Sequence, residues 1–181
     1  MIREYVKGNI VELFRSGNDI AHGCNCFCVM GAGVAGQLRS QFPQVAKADD
    51  LEDDYFTDKR HKLGGFSIAD HDNGVNVCYN VYSQYNPGPS IDYGALLNCF
   101  MNLNKVRKGI PRSLYIPRIG AGIAGGDWNI IEKLINIATP NINIVVVDYC
   151  PNAVELDSGE VISLDFLENS DKIKLNLKRL P

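Results

Sequence analysis

The sequence predicts a three-layer α/β/α domain built on a central mixed sheet, with a short C-terminal extension. Three observations carry this expectation. Apolar segments of strand length alternate with segments of helical periodicity as far as Val147. Two of those strands, Ile20 to Cys24 and Ser113 to Pro117, run into glycine-rich stretches that open helices, Gly31 to Leu38 and Arg118 to Gly126. Between them, Asp72-Asn73-Gly74 marks a hairpin, because Asn-Gly supplies positive φ at little cost.

The elements follow in order. Ile2 to Lys7 alternates and is expected to be a strand, turned by Gly8-Asn9-Ile10. Val11 to Phe14 reads as one helical turn before a second strand, Ile20 to Cys24, apolar enough to be covered on both faces. A helix from Val34 stops near Phe42-Pro43, since the residue before proline leaves helical space. Gln44 to Tyr55 continues as a second helix. Phe66 to Ala69 and Val75 to Tyr82 form the hairpin. Ser90 is expected to cap a helix over 91–108 with Leu96, Leu97, Phe100, Leu103 and Val106 inward, and Gly109 to stop it. Trp128 to Ala138 is a helix facing Ile131, Leu134, Ile135 and Ala138 inward, and Ile142 to Val147 is the most apolar strand. Residues 149–181 break this rhythm. Ala153 to Leu156 and Val161 to Leu164 suit a hairpin, Lys172 to Leu177 a further strand, and the whole an extension packed on the 1–148 domain.

The whole chain sets bounds on function. It has 181 residues, enough for one domain with its own core. Charged residues make up 22% and the net charge is −3, so no global field draws in nucleic acid. No apolar run approaches the length of a membrane span, and no signal-peptide core precedes the first strand. The six cysteines sit in apolar or strand-like contexts and read as reduced thiols of a cytoplasmic protein.

The glycine-rich stretches carry the chemistry. Glycine lets the backbone approach a ligand and take positive φ, and the N–H groups at a helix start favour an anion. Two such loops closing from both sides make a pocket for a nucleotide diphosphate. Laid out in order, these stretches resemble the macro domain family, the ADP-ribose-binding fold, over roughly residues 1 to 148. Tyr5-Val6-Lys7-Gly8-Asn9-Ile10 is similar to the family's opening motif. Ile20 to Cys26 followed by Met30 to Leu38 is similar to the yeast-type ADP-ribose-1''-phosphate phosphatase branch. Pro117 to Trp128 is similar to the corresponding loop of small bacterial and phage members.

The resemblance implies roles residue by residue. Gly8, Asn9 and Ile10 sit at the adenine, with Asn9 where most members carry Asp, still able to accept through its amide oxygen. Asn25 reaches the distal ribose. Gly31, Ala32, Gly33, Val34 and Ala35 line that ribose and one phosphate. Gly120, Ala121, Gly122, Ile123, Ala124 and Gly125 give backbone N–H groups to the diphosphate. Ser83 and Gln84 end a strand near the ligand. The implied activity is hydrolysis of ADP-ribose-1''-phosphate to ADP-ribose and phosphate by a monomer without cofactor. Asn25, His22 and Asp127 are the catalytic candidates. The alternatives are a reader of ADP-ribose without chemistry, and a hydrolase of ADP-ribosyl esters.

Plainer readings stand beside these. His22, Cys24, Cys26 and Cys28 imitate a metal cluster, but a zinc site needs turn-like ligand spacing, so no metal is expected and His22 reads as a core residue. Asp127 before Trp128 suits a helix cap, Asp92 a first-turn acid, and Asn25 a loop anchor. Tyr79, Tyr82 and Tyr85 read as core and rim packing. Met30, Ser83 and Ala124 depart from the acid–base residues of the family's hydrolase branches and favour the reader.

Overall fold

The computed structural model describes residues 1–51 and 58–150, and the backbone of 153–156, 161–163 and 177–178. The chain runs β1 (Ile2–Gly8), α1 (Ile10–Arg15), β2 (Asp19–Asn25), α2 (Gly33–Gln41), α3 (Pro43–Leu51), a 3₁₀ turn (Lys59–Lys62), β3 (Phe66–Asp70), β4 (Val77–Gln84), α4 (Tyr93–Val106), β5 (Leu114–Ile116), α5 (Trp128–Ala138) and β6 (Ile144–Tyr149). The six strands form one sheet in the order β1-β6-β5-β2-β4-β3. All neighbours pair parallel except β3, which pairs antiparallel with β4 at the edge. The sheet is mixed, as expected, and the carboxyl ends of its five parallel strands share one rim. In open α/β sheets that rim is where ligands bind.

Alternation along the strands divides the core into two apolar clusters. Ala21, Tyr79, Val81, Ile116 and Val146 pack with Leu96, Phe100 and Leu103 of α4 and Ile131 and Ile135 of α5. On the opposite face Ile20, Cys24, Cys78 and Tyr82 pack with Phe14, Leu38 and Val45 of the first three helices. Helices on both faces of the sheet give the three layers.

One staple crosses the fold. Arg107, the C-cap of α4, is buried and places Nη1 2.9 Å from Asp19 Oδ2 at the start of β2. Its Nη2 donates to the Arg112 carbonyl at 2.9 Å, and Asp19 Oδ1 accepts from Val77 N at 3.1 Å.

The structure corrects several local expectations. Asp92, not Ser90, caps α4: its Oδ1 accepts from Ala95 N at 2.9 Å, while Ser90 Oγ donates to the Asn86 carbonyl. Ile91 is occupied in a bridge with Gln84, so the helix cannot begin there. Val106 faces solvent at 53% exposure, because a helix of 14 residues has already turned its last position off the core. The turn between β3 and β4 spans six residues and is closed by His71 N donating to the Asn76 carbonyl at 2.9 Å, with positive φ at Gly74. Helix α3 begins at Pro43 itself, where proline's fixed φ suits a first turn. The rest of the expected Gln44–Tyr55 helix, beyond Leu51, lies outside the described residues.

In the C-terminal segment β7 (Ala153–Leu156) pairs antiparallel with β8 (Val161–Ser163) and with β9 (Leu177–Lys178). The rest of the strand expected at Lys172 to Leu177 lies outside the described residues. No helix among the described residues is long and apolar enough to cross a membrane.

Candidate functional site

The two glycine loops leave neighbouring strands, β2 and β5, at the carboxyl rim. The first is held by side chains. Asn25 ends β2 and folds its amide back: Oδ1 accepts from Phe27 N at 3.0 Å and Val29 N at 3.3 Å, and Nδ2 donates to the Val29 carbonyl at 2.9 Å. Asn25 is therefore a loop anchor, and among the described residues one of its two amide hydrogens has no acceptor. Cys28 takes a positive φ of 57° inside this turn. Its Sγ lies 3.2 Å from Lys62 Nζ, and the same ammonium donates to Asp49 Oδ1 and to the Asp49 carbonyl, both at 2.8 Å. The Lys62 and Asp49 side chains are buried. Burial opposes the charge on Lys62 more than any single contact favours it, but the hydrogen bonds and charge interactions with Asp49 and Cys28 together outweigh burial, and the ammonium is held above its ordinary pKa.

After this turn, α2 starts with Ala32 at the cap position and no side-chain cap. No acid sits in its first turn. The first N–H groups of a helix have no partner within the helix, so those of Gly33, Val34 and Ala35 are offered outward.

The second loop is held by its own backbone. Ala121 N donates to the Arg118 carbonyl at 3.1 Å, Gly125 N to Gly122 at 2.9 Å, and Gly126 N to Gly120 at 2.8 Å. Ile91 N reaches across to the Ala124 carbonyl at 3.2 Å. Glycine is required twice. Gly120 has a φ of 81°, and a Cβ there would lie 2.8 Å from Ile91 Cδ1. A Cβ on Gly126 would lie 2.8 Å from the Gly120 carbonyl oxygen. The N–H groups of Gly120, Gly122, Ile123 and Ala124 are left without an acceptor among the described residues. A run of such N–H groups beside a cleft has the chemistry of an anion cradle built without side-chain charge.

Between the loops lies a cleft of two joined basins. The larger, about 400 Å³, is lined by 117–124 and by Ala32, Val34 and Ala35. The smaller, about 210 Å³, is lined by Asn25, Val29, Gly31, Pro87 and Gly88. Gly23, Ala32, Ala35, Gln84 and Ile123 belong to both. Gly23 keeps the floor low: a Cβ there would meet Ile119 Cγ2 at 3.2 Å and Ser83 Oγ at 3.5 Å. Ile123, 60% exposed, nears the first loop, its Cδ1 3.4 Å from where a Cβ on Gly33 would stand. At the larger basin's edge Arg118 clamps Asp148 through two hydrogen bonds of 2.6 and 2.9 Å and stacks on Tyr5 and Trp128. The clamp holds the Asp148 carboxyl below its ordinary pKa.

The cleft thus gathers Asn25, Gly31, Ala32, Val34, Ala35, Gly120, Ala121, Gly122, Ile123 and Ala124. Gly33 starts α2 beside it, and Gly125 closes the second loop. Three expected ligand residues lie elsewhere on the rim. Gly8 ends β1 against Tyr149, Asn9 caps α1 by accepting from Val11 N at 3.0 Å, and Ile10 is buried. Ser83 is buried beneath Gly23, and its Oγ has no partner among the described residues.

Two catalytic candidates do not reach the cleft. His22 points to the face covered by α1, α2 and α3, where Nε2 meets Asn80 Oδ1 at 2.7 Å and burial lowers its pKa. It is the core residue of the plainer reading, because β2 alternates and Gly23, not His22, takes the cleft side. Asp127 caps α5, its Oδ1 accepting from Asn129 N at 2.8 Å. The Arg118–Asp148 clamp escaped sequence reading. Its local signal, an arginine entering a glycine loop, says nothing of a carboxylate thirty residues away.

No family model matches the chain. It shares its fold with macrodomains, as two solved structures illustrate. A macrodomain protein from Streptomyces coelicolor superposes with a TM-score of 0.65 at 23% identity, covering 83% of this chain and 100% of that one. A mutant macrodomain of Oceanobacillus iheyensis, solved with ADPR, gives 0.59 at 18% identity over 81% and 83%. The chain itself belongs to the family of an Enterobacteria phage T4 protein, the uncharacterized 17.5 kDa protein of the tk-vs intergenic region. The two are 44% identical over 155 residues, which is 83% of this chain and 99% of the phage protein.

Proposed function

We propose that the cleft binds ADP-ribose, with its diphosphate on the second loop and its distal ribose in the smaller basin. The observation that carries this is the set of N–H groups at Gly120, Gly122, Ile123 and Ala124 that have no acceptor among the described residues, which shares a basin with the uncapped start of α2. Dipoles of this kind hold a diphosphate without a lysine cluster, in keeping with a net charge of −3. The macrodomain solved with ADPR lends support at the level of fold. In this reading the adenine lies toward Gly8, Asn9 and Ile10, where Asn9 Oδ1 keeps a second lone pair for its amino group. Asn25 gives its remaining amide hydrogen to the distal ribose.

The finer reading is hydrolysis of ADP-ribose-1''-phosphate, as in the yeast-type branch. Its support is the α2 N-terminus, a second anion seat beyond the diphosphate. Catalysis then rests on positioning and on N–H stabilisation of the phosphoryl charge. The reader is favoured by a specific observation: the lining of both basins includes neither His22 nor Asp127. One sample separates the readings. Calorimetry titrates ADP-ribose while phosphate release from ADP-ribose-1''-phosphate is followed with EDTA present. Binding with release supports the phosphatase, and binding without release supports the reader or an ester hydrolase. Absence of both overturns the pocket assignment. We place this activity in the cytoplasm and in a monomer.

A further inference from the structure

Outside the ligand contacts, the first loop carries a second piece of chemistry. We propose that Cys28 and Lys62 form a peroxide-responsive pair, in which oxidation of the Cys28 sulfur reshapes the smaller basin. The pairing is geometric. Lys62 Nζ lies 3.2 Å from Cys28 Sγ, and the lysine side chain is buried, so it stays directed at the sulfur. An ammonium against a thiol favours the thiolate, the form that attacks peroxide. Cys28 is partly exposed as a residue, unlike the four buried cysteines.

The other thiols lack this combination. Cys24, Cys26, Cys78 and Cys99 are buried. Burial pushes the Cys24 and Cys78 thiols up, and that of Cys99 up to about 12, which keeps them protonated. Cys150 is partly exposed, and among the described residues no cation lies against its sulfur.

The step balances with hydrogen peroxide as the oxidant. The Cys28 sulfur attacks one peroxide oxygen, an S–O bond forms and the O–O bond breaks. The thiol and peroxide become a sulfenic acid and water, sulfur being oxidised and peroxide reduced. Lys62 keeps its proton throughout and donates to the new oxygen.

The consequence follows from position. The sulfur already touches Lys62 Nζ and lies 3.6 Å from the Asp49 carbonyl oxygen, so an added oxygen enters a packed contact. The turn that must give way runs from Asn25 to Val29, and both of those residues line the smaller basin. Oxidation therefore displaces basin wall and weakens ligand binding there. This last consequence rests on the ADP-ribose reading, whereas the oxidation chemistry does not.

The test treats the reduced full-length protein with hydrogen peroxide and traps sulfenic acid with dimedone, and peptide mass mapping assigns the label. Label is expected first on Cys28, and Cys28→Ser is expected to remove that fast phase. Lys62→Met alone strands the buried Asp49 charge, so the paired variant Lys62→Met/Asp49→Asn is used, with folding checked by circular dichroism. Its labelling rate at Cys28 is expected to fall on the order of tenfold. Fast labelling at Cys150, equal labelling of all thiols, or an unchanged rate in the folded paired variant overturns the pair. ADP-ribose calorimetry on reduced and oxidised samples tests the consequence separately. If the reduced protein does not bind, the ADP-ribose reading fails while the labelling result stands. If the oxidised protein binds as tightly as the reduced one, the coupling is overturned.

Discussion

The two loops that frame the cleft are built on opposite plans. The first hangs on side chains: the Asn25 amide spans its turn and the buried Lys62–Asp49 pair holds Cys28. The second hangs on its own backbone, with glycines where no Cβ fits and hydrogen bonds from Gly126 to Gly120 and from Gly125 to Gly122. The first loop is therefore vulnerable to losing polar groups and the second to gaining carbon. The division suits their proposed tasks. A loop that offers N–H groups to a diphosphate needs a rigid, bare backbone, whereas one that meets the changing end of a ligand tolerates adjustable anchors.

Substitutions that break one plan should spare the other. The largest effect is expected from Lys62→Met, which leaves the Asp49 carboxylate buried and unpaired, a loss of about 3–5 kcal/mol. Urea unfolding reads it, and restoring neutrality with Asp49→Asn is expected to recover most of the loss. A result within error of wild type would show that the first loop does not lean on this pair.

Next comes Gly126→Ala. A Cβ 2.8 Å from the Gly120 carbonyl oxygen forces the second loop open, at about 1–3 kcal/mol by analogy with overpacked sites. ADP-ribose affinity is expected to fall more steeply than stability, because the displaced backbone carries the proposed anion cradle. Equal proportional losses in calorimetry and unfolding would remove the distinction between the loops.

Asn25→Ala removes three hydrogen bonds of one turn, about 1–3 kcal/mol if the freed backbone groups stay dry. Phosphate release or ADP-ribose affinity is expected to drop before the domain unfolds, with the second loop's amide spectrum unchanged. Unchanged ligand behaviour would leave Asn25 without a role at the site.

A smaller effect concerns pH. Burial lowers the His22 pKa from its ordinary 6.5, so the folded protein keeps the ring neutral where the unfolded chain takes up a proton. Its contribution is full above pH 6.5 and is lost as pH falls below it, by at most about 1.4 kcal/mol per pH unit. Urea midpoints measured on either side of pH 6.5 are expected to show this slope in wild type and a shallower one in His22→Gln.

The contrast also marks how far the sequence was legible. Backbone-built features left local traces. Both glycine stretches, the strands that feed them and the Asp127 cap of α5 are readable from adjacent residues, since glycine, strand periodicity and cap chemistry act over a few positions. Features built from side chains across the fold left none. Nothing near Lys62 in the chain points to Asp49 or Cys28, and nothing near Arg107 points to Asp19. Their partners meet only once the sheet is ordered. Ser90 and Asp92 are both competent caps, and the choice between them was made by a bridge from Ile91 to Gln84 that belongs to tertiary structure. His22 sits one residue from the cleft-side Gly23, and a period of two separates the core from the cleft.

The most direct test of the central claim follows backbone amides by NMR as ADP-ribose is added. If the second loop's N–H groups hold the diphosphate, Gly120, Gly122, Ile123 and Ala124 should show the largest shift changes, saturating with one ligand per chain. Changes confined to other regions, or none at all, would contradict the account.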